Sequence, residues 1–284
     1  MDRVKDSVAA SGPTALRVPW TLIALASVGC GTAVALVAVP GVRATTSVSS
    51  ATAVVEGVAR GAMAAIPVAV ALYACRRRAQ ARFGKLLLGF SGVWFLALLS
   101  SSSSPLVYSL GRLAGWVSSA FLAFLILAFP SGRMVSRVDR ALAIAAAAAV
   151  AFLDVPSALL VERYPTPSPY ASCDARCPHN AFMVTVHQPA FISGIVAPLR
   201  DALIILITVL VAARLAQRIR GVNTLVRLTV VPVLVASIAW VLLLAFGLTA
   251  RRIAPASVIT HAVAWMVAFA IPAIALAFLL GMAR

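Results

Sequence analysis

The sequence predicts an all-α integral membrane protein, a polytopic bundle of about eight transmembrane helices with both termini in the cytoplasm. Three observations carry that prediction. Hydrophobic residues make up 62% of the chain and charged residues only 11%, where a soluble domain holds about 25% charged residues. The apolar residues gather in eight stretches, near 18–39, 54–75, 84–100, 108–129, 141–160, 191–213, 226–248 and 258–280. Each is close to the roughly 20 residues a helix needs to cross a hydrocarbon core about 30 Å thick. The connecting loops alternate between arginine-rich and arginine-poor.

The stretches are too long and too evenly apolar for barrel strands, which alternate over about ten residues. Helices are the other backbone geometry that satisfies its own hydrogen bonds in lipid. Residues 1–17 read as a cytoplasmic N-terminal segment and 18–284 as one membrane domain with an outer loop at 161–190. The first stretch carries no charge. The second holds Glu56 and Arg60 one helical turn apart and ends at Arg76-Arg77-Arg78. The third is short and runs into Ser100–Ser104, so an interfacial hairpin there would change the count. The fourth opens with Arg112 and stops at Phe129-Pro130-Ser131-Gly132-Arg133, where Pro130 and Gly132 make a sharp turn and Arg133 a basic anchor. The fifth is alanine-rich from Ala141 to Ala151, a face suited to close helix packing, and carries Asp154 late. The sixth holds Arg200 and Asp201. Pro232 and Pro272 read as breaks in the seventh and eighth, and His261 opens the eighth.

Charge sets the orientation. Sixteen of the 24 lysines and arginines fall on one side, among them Arg76–Arg78, Arg133, Arg137, Arg140, Arg214, Arg218 and Arg220. The positive-inside rule places that side in the cytoplasm. Arg251 and Arg252 oppose the rule locally. The net charge of +16 does not point to nucleic acid, because the basic residues flank apolar spans instead of forming one face. The expected location is a bacterial plasma membrane. The chain stops at Arg284, soon after its last apolar stretch, which leaves no room for a soluble catalytic domain.

The outer segment 161–190 is long for a loop, a length usually tied to function or disorder. Pro165, Pro167 and Pro169 favour a stiff, extended lead-in. Cys173 and Cys177 follow, in an oxidising location where disulfides persist, and four-residue spacing on a helical turn brings their Cα atoms within bonding range. Free thiols, and a metal site completed by His179 and His187, are the alternatives. No cofactor is implied.

A second constellation is ionic: Glu56, Arg60, Arg112, Asp154, Arg200, Asp201 and His261 all lie toward the outer leaflet. Charges in a bilayer face a bundle interior or a water-filled cavity, so these seven make a candidate outward-facing polar pocket. The plainer reading is that they pair with one another or snorkel to the interface. Catalytic patterns are missing: there is no H-E-x-x-H, no phosphate loop, no G-x-S-x-G and no paired carboxylates on one face. An enzyme is not expected.

The turn at Phe129–Arg133 resembles the F-P-[DS]-G-R inner loop in the membrane sensor regions of actinobacterial two-component histidine kinases. Cys173, Cys177, Pro178, His179 and Asn180 resemble the cysteine, proline and asparagine cluster of their outer loop. The last span, Ile271-Pro272 to Gly281, is similar to the helix leading into their kinase core. The resemblance covers about residues 70–284. One departure is the inner loop before the third span, where Arg82-Phe83-Gly84-Lys85-Leu86 stands in place of N-P-[IV]-G-W. The other is the absence of a phosphoacceptor helix and an ATP-binding domain after Arg284. The resemblance implies a sensory input module for signal transduction, with Pro272 as candidate hinge. Its partners would be the lipid bilayer, a second copy of the chain as a homodimer, and a response regulator reached only through a kinase core that this chain does not carry. A small transporter or permease subunit and a stand-alone membrane interaction protein are the alternatives.

Overall fold

The computed structural model describes residues 19–283 apart from 135, 172, 174, 175 and 221–223. The segment 1–17 and Arg284 lie outside the described residues. Among those described, eight helices are long and apolar enough to cross a membrane: α1 (Trp20–Thr45), α2 (Ser50–Arg76), α3 (Ala81–Ser101), α4 (Pro105–Ala128), α5 (Arg137–Leu160), α6 (Ile192–Arg218), α7 (Val230–Ile253) and α8 (Val258–Met282). The protein is an all-α multi-pass membrane protein.

The helices outrun the apolar stretches because capping and interfacial residues continue them. Ser49 caps α2 by accepting from Thr52 N, and Ser136 caps α5 by accepting from Val138 N, each satisfying an orphan amide of the first turn. Pro105 opens α4 at a position where its missing N–H costs nothing. The serine run closes α3 with a tight final turn, Leu99–Ser101, so the third stretch is a full span and not a hairpin.

Pro232 and Pro272 do not break their helices. Helical backbone runs unbroken from Thr224 to Ile253 and from Val258 to Ala283, because packed neighbours tolerate the one lost bond. Around Pro272, Ile271 and Ile274 are buried in the core. The irregular turns fall elsewhere. Val150–Asp154 in α5 and Ile192–Val196 at the start of α6 are wider π-helical turns. Each stands just ahead of a proline, Pro156 or Pro198, whose missing amide forfeits the ordinary bond one turn back.

Successive helices from α2 to α8 pack side by side, and α8 returns against α2 to close a seven-helix ring. Outside the ring, α1 lies on α2, where a Cβ on Gly31 would stand 3.0 Å from the carbonyl oxygen of Gly61. Only residues without side chains permit that approach. The alanine face of α5 is used inside the ring: Ala143, Ala146 and Ala149 join the buried core.

The 161–190 loop covers one end of the ring and the Phe129–Arg133 turn lies at the other. At that opposite end Gly132 takes φ 68° and donates its N–H to Ala128 O at 2.9 Å, the left-handed cap that glycine adopts without strain. The turn sets Phe129 against Phe83 of α3 and Phe278 of α8, with ring centres 5.4 and 5.1 Å away, while Arg133 is exposed. Asp139, buried in the first turn of α5, binds Arg214 Nε at 2.9 Å and Arg218 Nη2 at 2.5 Å. Arg218 also donates to Leu127 O at 2.9 Å, which ties α4, α5 and α6 together.

Candidate functional site

The site is built from the loop downward. Asn180 organises it: its amide donates to Ala158 O at 2.6 Å and Val161 O at 2.7 Å, and its oxygen accepts from Tyr164 OH at 2.9 Å. Ser109 of α4 accepts from Ala181 N at 2.9 Å. Cys173 and Cys177 form a disulfide with Cα atoms 5.1 Å apart, which takes both thiolates out of any zinc set. Cys173 packs with Tyr108, Ala158, Tyr164 and Ala171. The exposed side chain of His179 lies two residues beyond the disulfide.

The proline-rich lead-in is not extended. Ser168 and Ala171 pair across a tight reversal, and Tyr170 turns into the bundle. Its carbonyl accepts from Arg60 Nη1 at 2.9 Å and Ser100 Oγ at 2.7 Å. Its ring meets Trp94 edge-on at 5.1 Å, and its hydroxyl lies 3.0 Å from Ser119 Oγ. Burying that ring and its hydrogen bonds outweighs the local preference of the prolines. Burial pushes the Tyr170 phenol up, and it pushes the Tyr164 phenol up to about 12.

Beneath Tyr170 lies a cavity of about 130 Å3 between α4, α5, α6, α7 and α8. Its loop end is ionic. Arg200 lies 3.6 Å from Asp154 and 2.9 Å from Asp201, and Asp201 is bound in turn by Arg252 at 3.0 Å and Arg251 at 3.7 Å. Arg112 donates to Pro165 O at 2.5 Å, and its guanidinium lies 5.5 Å from the Tyr164 ring. The two π-helical turns set the local register of the segments that carry Asp154 and Arg200. Three buried polar atoms on the cavity residues have no hydrogen-bond partner among the described residues: Arg112 Nη1, Asp154 Oδ1 and Trp240 Nε1. Such atoms are uncommon in native interiors.

The seven ionic residues read from the sequence divide between two cavities. Arg112, Asp154, Arg200 and Asp201 line the first. Glu56, Arg60 and His261 line a second, of about 300 Å3, with Arg176 of the loop. Pro167, Ser168 and Pro169 face both, so the loop tip stands between them. Arg60 is 2% exposed and its guanidinium stacks 4.7 Å over Trp265. His261 Nδ1 lies 3.0 Å from Ser257 O.

Sequence reasoning missed Tyr170, Trp240, Arg251 and Arg252. The arginine pair had a signal, since it stood against the charge rule, and Asp201 is the reason. Nothing in the sequence singles out Tyr170 or Trp240. As for chemistry, the arginines donate, the aspartates accept, and the apolar wall below them holds hydrocarbon. This is equipment for binding. No family model matches the chain, and comparison with curated proteins and with solved structures gives no match.

Proposed function

We propose that the chain is a multi-pass membrane sensory module of the two-component type, seated in a bacterial plasma membrane with both termini in the cytoplasm. The single observation that carries this reading is the course of α8. Thr260, Ala264 and Val267 of α8 line the cavity below the loop, and Trp265 lies under Arg60. At its far end Phe278 packs on Phe83 and Phe129, and Met282 O accepts from Gln80 at 3.2 Å. One helix therefore touches both the candidate input and the turn at the opposite end. A ligand that favours one packing of the loop and cavity shifts the population of the whole helix array. Pro272 lies between the two ends of α8, where a missing backbone bond makes bending easiest. The inner turn of Pro130, Gly132 and Arg133 is the surface on which the shift is read.

The reading gives the chain no catalytic, metal or cofactor residues of its own. Its output passes to a response regulator through a kinase core, with a second copy of the chain as the natural partner. A transporter would instead carry polar groups along a path through the bundle. Here the deeper cavity wall is mostly apolar, with Ala123, Ala146, Val211 and Val267, and carries no charged residue among the described residues. The small-residue face of α5, which a membrane interaction protein would present outward, is consumed in the ring.

The test combines two measurements on native membranes. An antibody against 161–190 reports whether the native protein runs at 29.5 kDa or well above it, and a phosphate-affinity gel reports response-regulator phosphorylation in cells carrying wild-type or Pro272→Ala protein. A heavier band with altered phosphorylation supports the sensor. Solute flux in proteoliposomes with unaltered phosphorylation replaces it with the transporter.

A further inference from the structure

The geometry points to the cavity below Tyr170 as a binding site for a single-chain anionic amphiphile, its head group at Arg112 and its hydrocarbon along the helix walls. This deepens the sensor reading and rests on it only for the biological meaning of binding.

The first argument is charge. Arg112, Arg200 and Arg251 face the cavity against Asp154 and Asp201, and Asp201 is shared with Arg252 at 3.0 Å, so arginines outnumber carboxylates at this end. Arg200 and Arg251 each lie within 4 Å of an aspartate. Arg112, only 5% exposed, has no carboxylate within that range among the described residues. Its Nη2 is used by Pro165 O, and its Nη1 has no acceptor there. A buried guanidinium with a spare N–H is built for an anion, since a buried charge without a counter-charge is costly.

The second argument is shape. Every helix that brings a charge to the loop end turns mostly apolar deeper down: Arg112 leads to Ala123, Arg200 to Val211 and Arg251 to Val241. Ten or eleven residues of helix make a wall about 16 Å long at 1.5 Å per residue. The cavity lining follows that depth between α4, α5, α6, α7 and α8, a length that suits an extended hydrocarbon chain. Trp240 lines the deep end, where its indole can report the arrival of the chain by fluorescence.

The probe is ω-bromododecanoate, whose bromine quenches tryptophan on contact. It is added at mildly alkaline pH to the full chain in phosphatidylcholine nanodiscs, with its neutral methyl ester as control. Saturable quenching by the carboxylate, absent with the ester and lost in a Trp240→Phe variant, is the expected result. Arg112→Gln should weaken binding roughly tenfold or more, the value of one charge-assisted hydrogen bond, while Arg112→Lys retains part of it and guards against a folding defect. Equal quenching by acid and ester, or full binding in a folded Arg112→Gln variant, overturns the site. Nanodiscs containing lysophosphatidylglycerol, a single-chain anionic lipid, separate two sources of the same chemistry. Competition by that lipid assigns the site to bilayer lipid, and its absence assigns it to a free acid. Binding without any change in regulator phosphorylation removes the sensor reading and leaves the site. Altered phosphorylation without binding does the reverse.

Discussion

The two ends of the helix ring bury the same chemical pieces and put them to different ends. At the end opposite the loop, Asp139 meets Arg214 and Arg218 through two short hydrogen-bonded ion pairs, and the aromatic knot of Phe83, Phe129 and Phe278 fills the neighbouring space. At the loop end, Asp154 sits 3.6 Å from Arg200, with one oxygen lacking a hydrogen bond, beside a cavity. A buried ion pair repays its desolvation only when its remaining donors and acceptors are also met. The first arrangement meets that condition and acts as a latch. The second leaves donors over, and leftover donors next to space are what a ligand uses.

The largest expected effect comes from removing the Tyr170 ring, the plug that the loop buries over the first cavity. Tyr170→Ala deletes a buried ring and should destabilise the loop against the bundle by about 3–5 kcal/mol, the range for aromatic truncation in a core. Tyr170→Phe loses only the contact to Ser119, worth about 1 kcal/mol. Rates of limited proteolysis within 161–190 distinguish them, and an unchanged rate for the alanine variant would remove the plug from the account. Next in size is the contrast between the two aspartates. Asp139→Asn leaves Arg214 and Arg218 half-buried with no other carboxylate within 4 Å among the described residues, a loss of about 3 kcal/mol. Asp154→Asn leaves Arg200 still bound to Asp201 at 2.9 Å and should cost less. Thermal unfolding in detergent reads both variants. Equal costs would erase the distinction between latch and site.

What was legible in the sequence follows from what lipid enforces. Eight spans and their helical class are imposed by the cost of polar groups in hydrocarbon, and a chain cannot hide them. Asp201 and the pair Arg251 and Arg252 show the limit. Charge counting found the arginines out of place, but only tertiary packing brings two helices together so that one carboxylate answers both. The fate of the loop was not legible. Three prolines around Tyr170 read locally as a stiff spacer, while the pocket that takes Tyr170 is assembled from Arg60, Trp94, Ser100 and Ser119 on three helices. The proline effects were misplaced for a related reason. Pro232 and Pro272 sit among packed neighbours that absorb them, whereas Pro156 and Pro198 widen the turns before them.

A smaller effect sharpens the comparison within the loop itself. The disulfide joins residues only four apart, and so short a ring restrains the unfolded chain by no more than about 2 kcal/mol. Reduction should therefore speed hydrogen exchange around 173–177 and leave Tyr170 protected. Exchange that spread to Tyr170 would mean that the disulfide, and not the pocket of Arg60, Trp94 and Ser119, holds the plug in place.

The smallest effect is a pH dependence confined to the loop. The Tyr164 phenol is pushed up to about 12 by burial, with Arg112 partly opposing the shift, and Tyr170 is raised by burial as well. A free tyrosine ionises near about 10. The released loop therefore gives up these protons first, so the docked loop is favoured at full strength below about 10 and loses that contribution as the pH climbs toward about 12. Absorbance of the phenolate in the full chain should show these two of the four tyrosines titrating late, together with a rise in loop proteolysis. The opposite end carries no tyrosine in its aromatic knot, so the Asp139 latch should stay closed over the same window. If Tyr164 and Tyr170 titrate at the free value while the loop remains protected, their rings are wet, and the seal over the cavity must come from the disulfide-bonded segment alone.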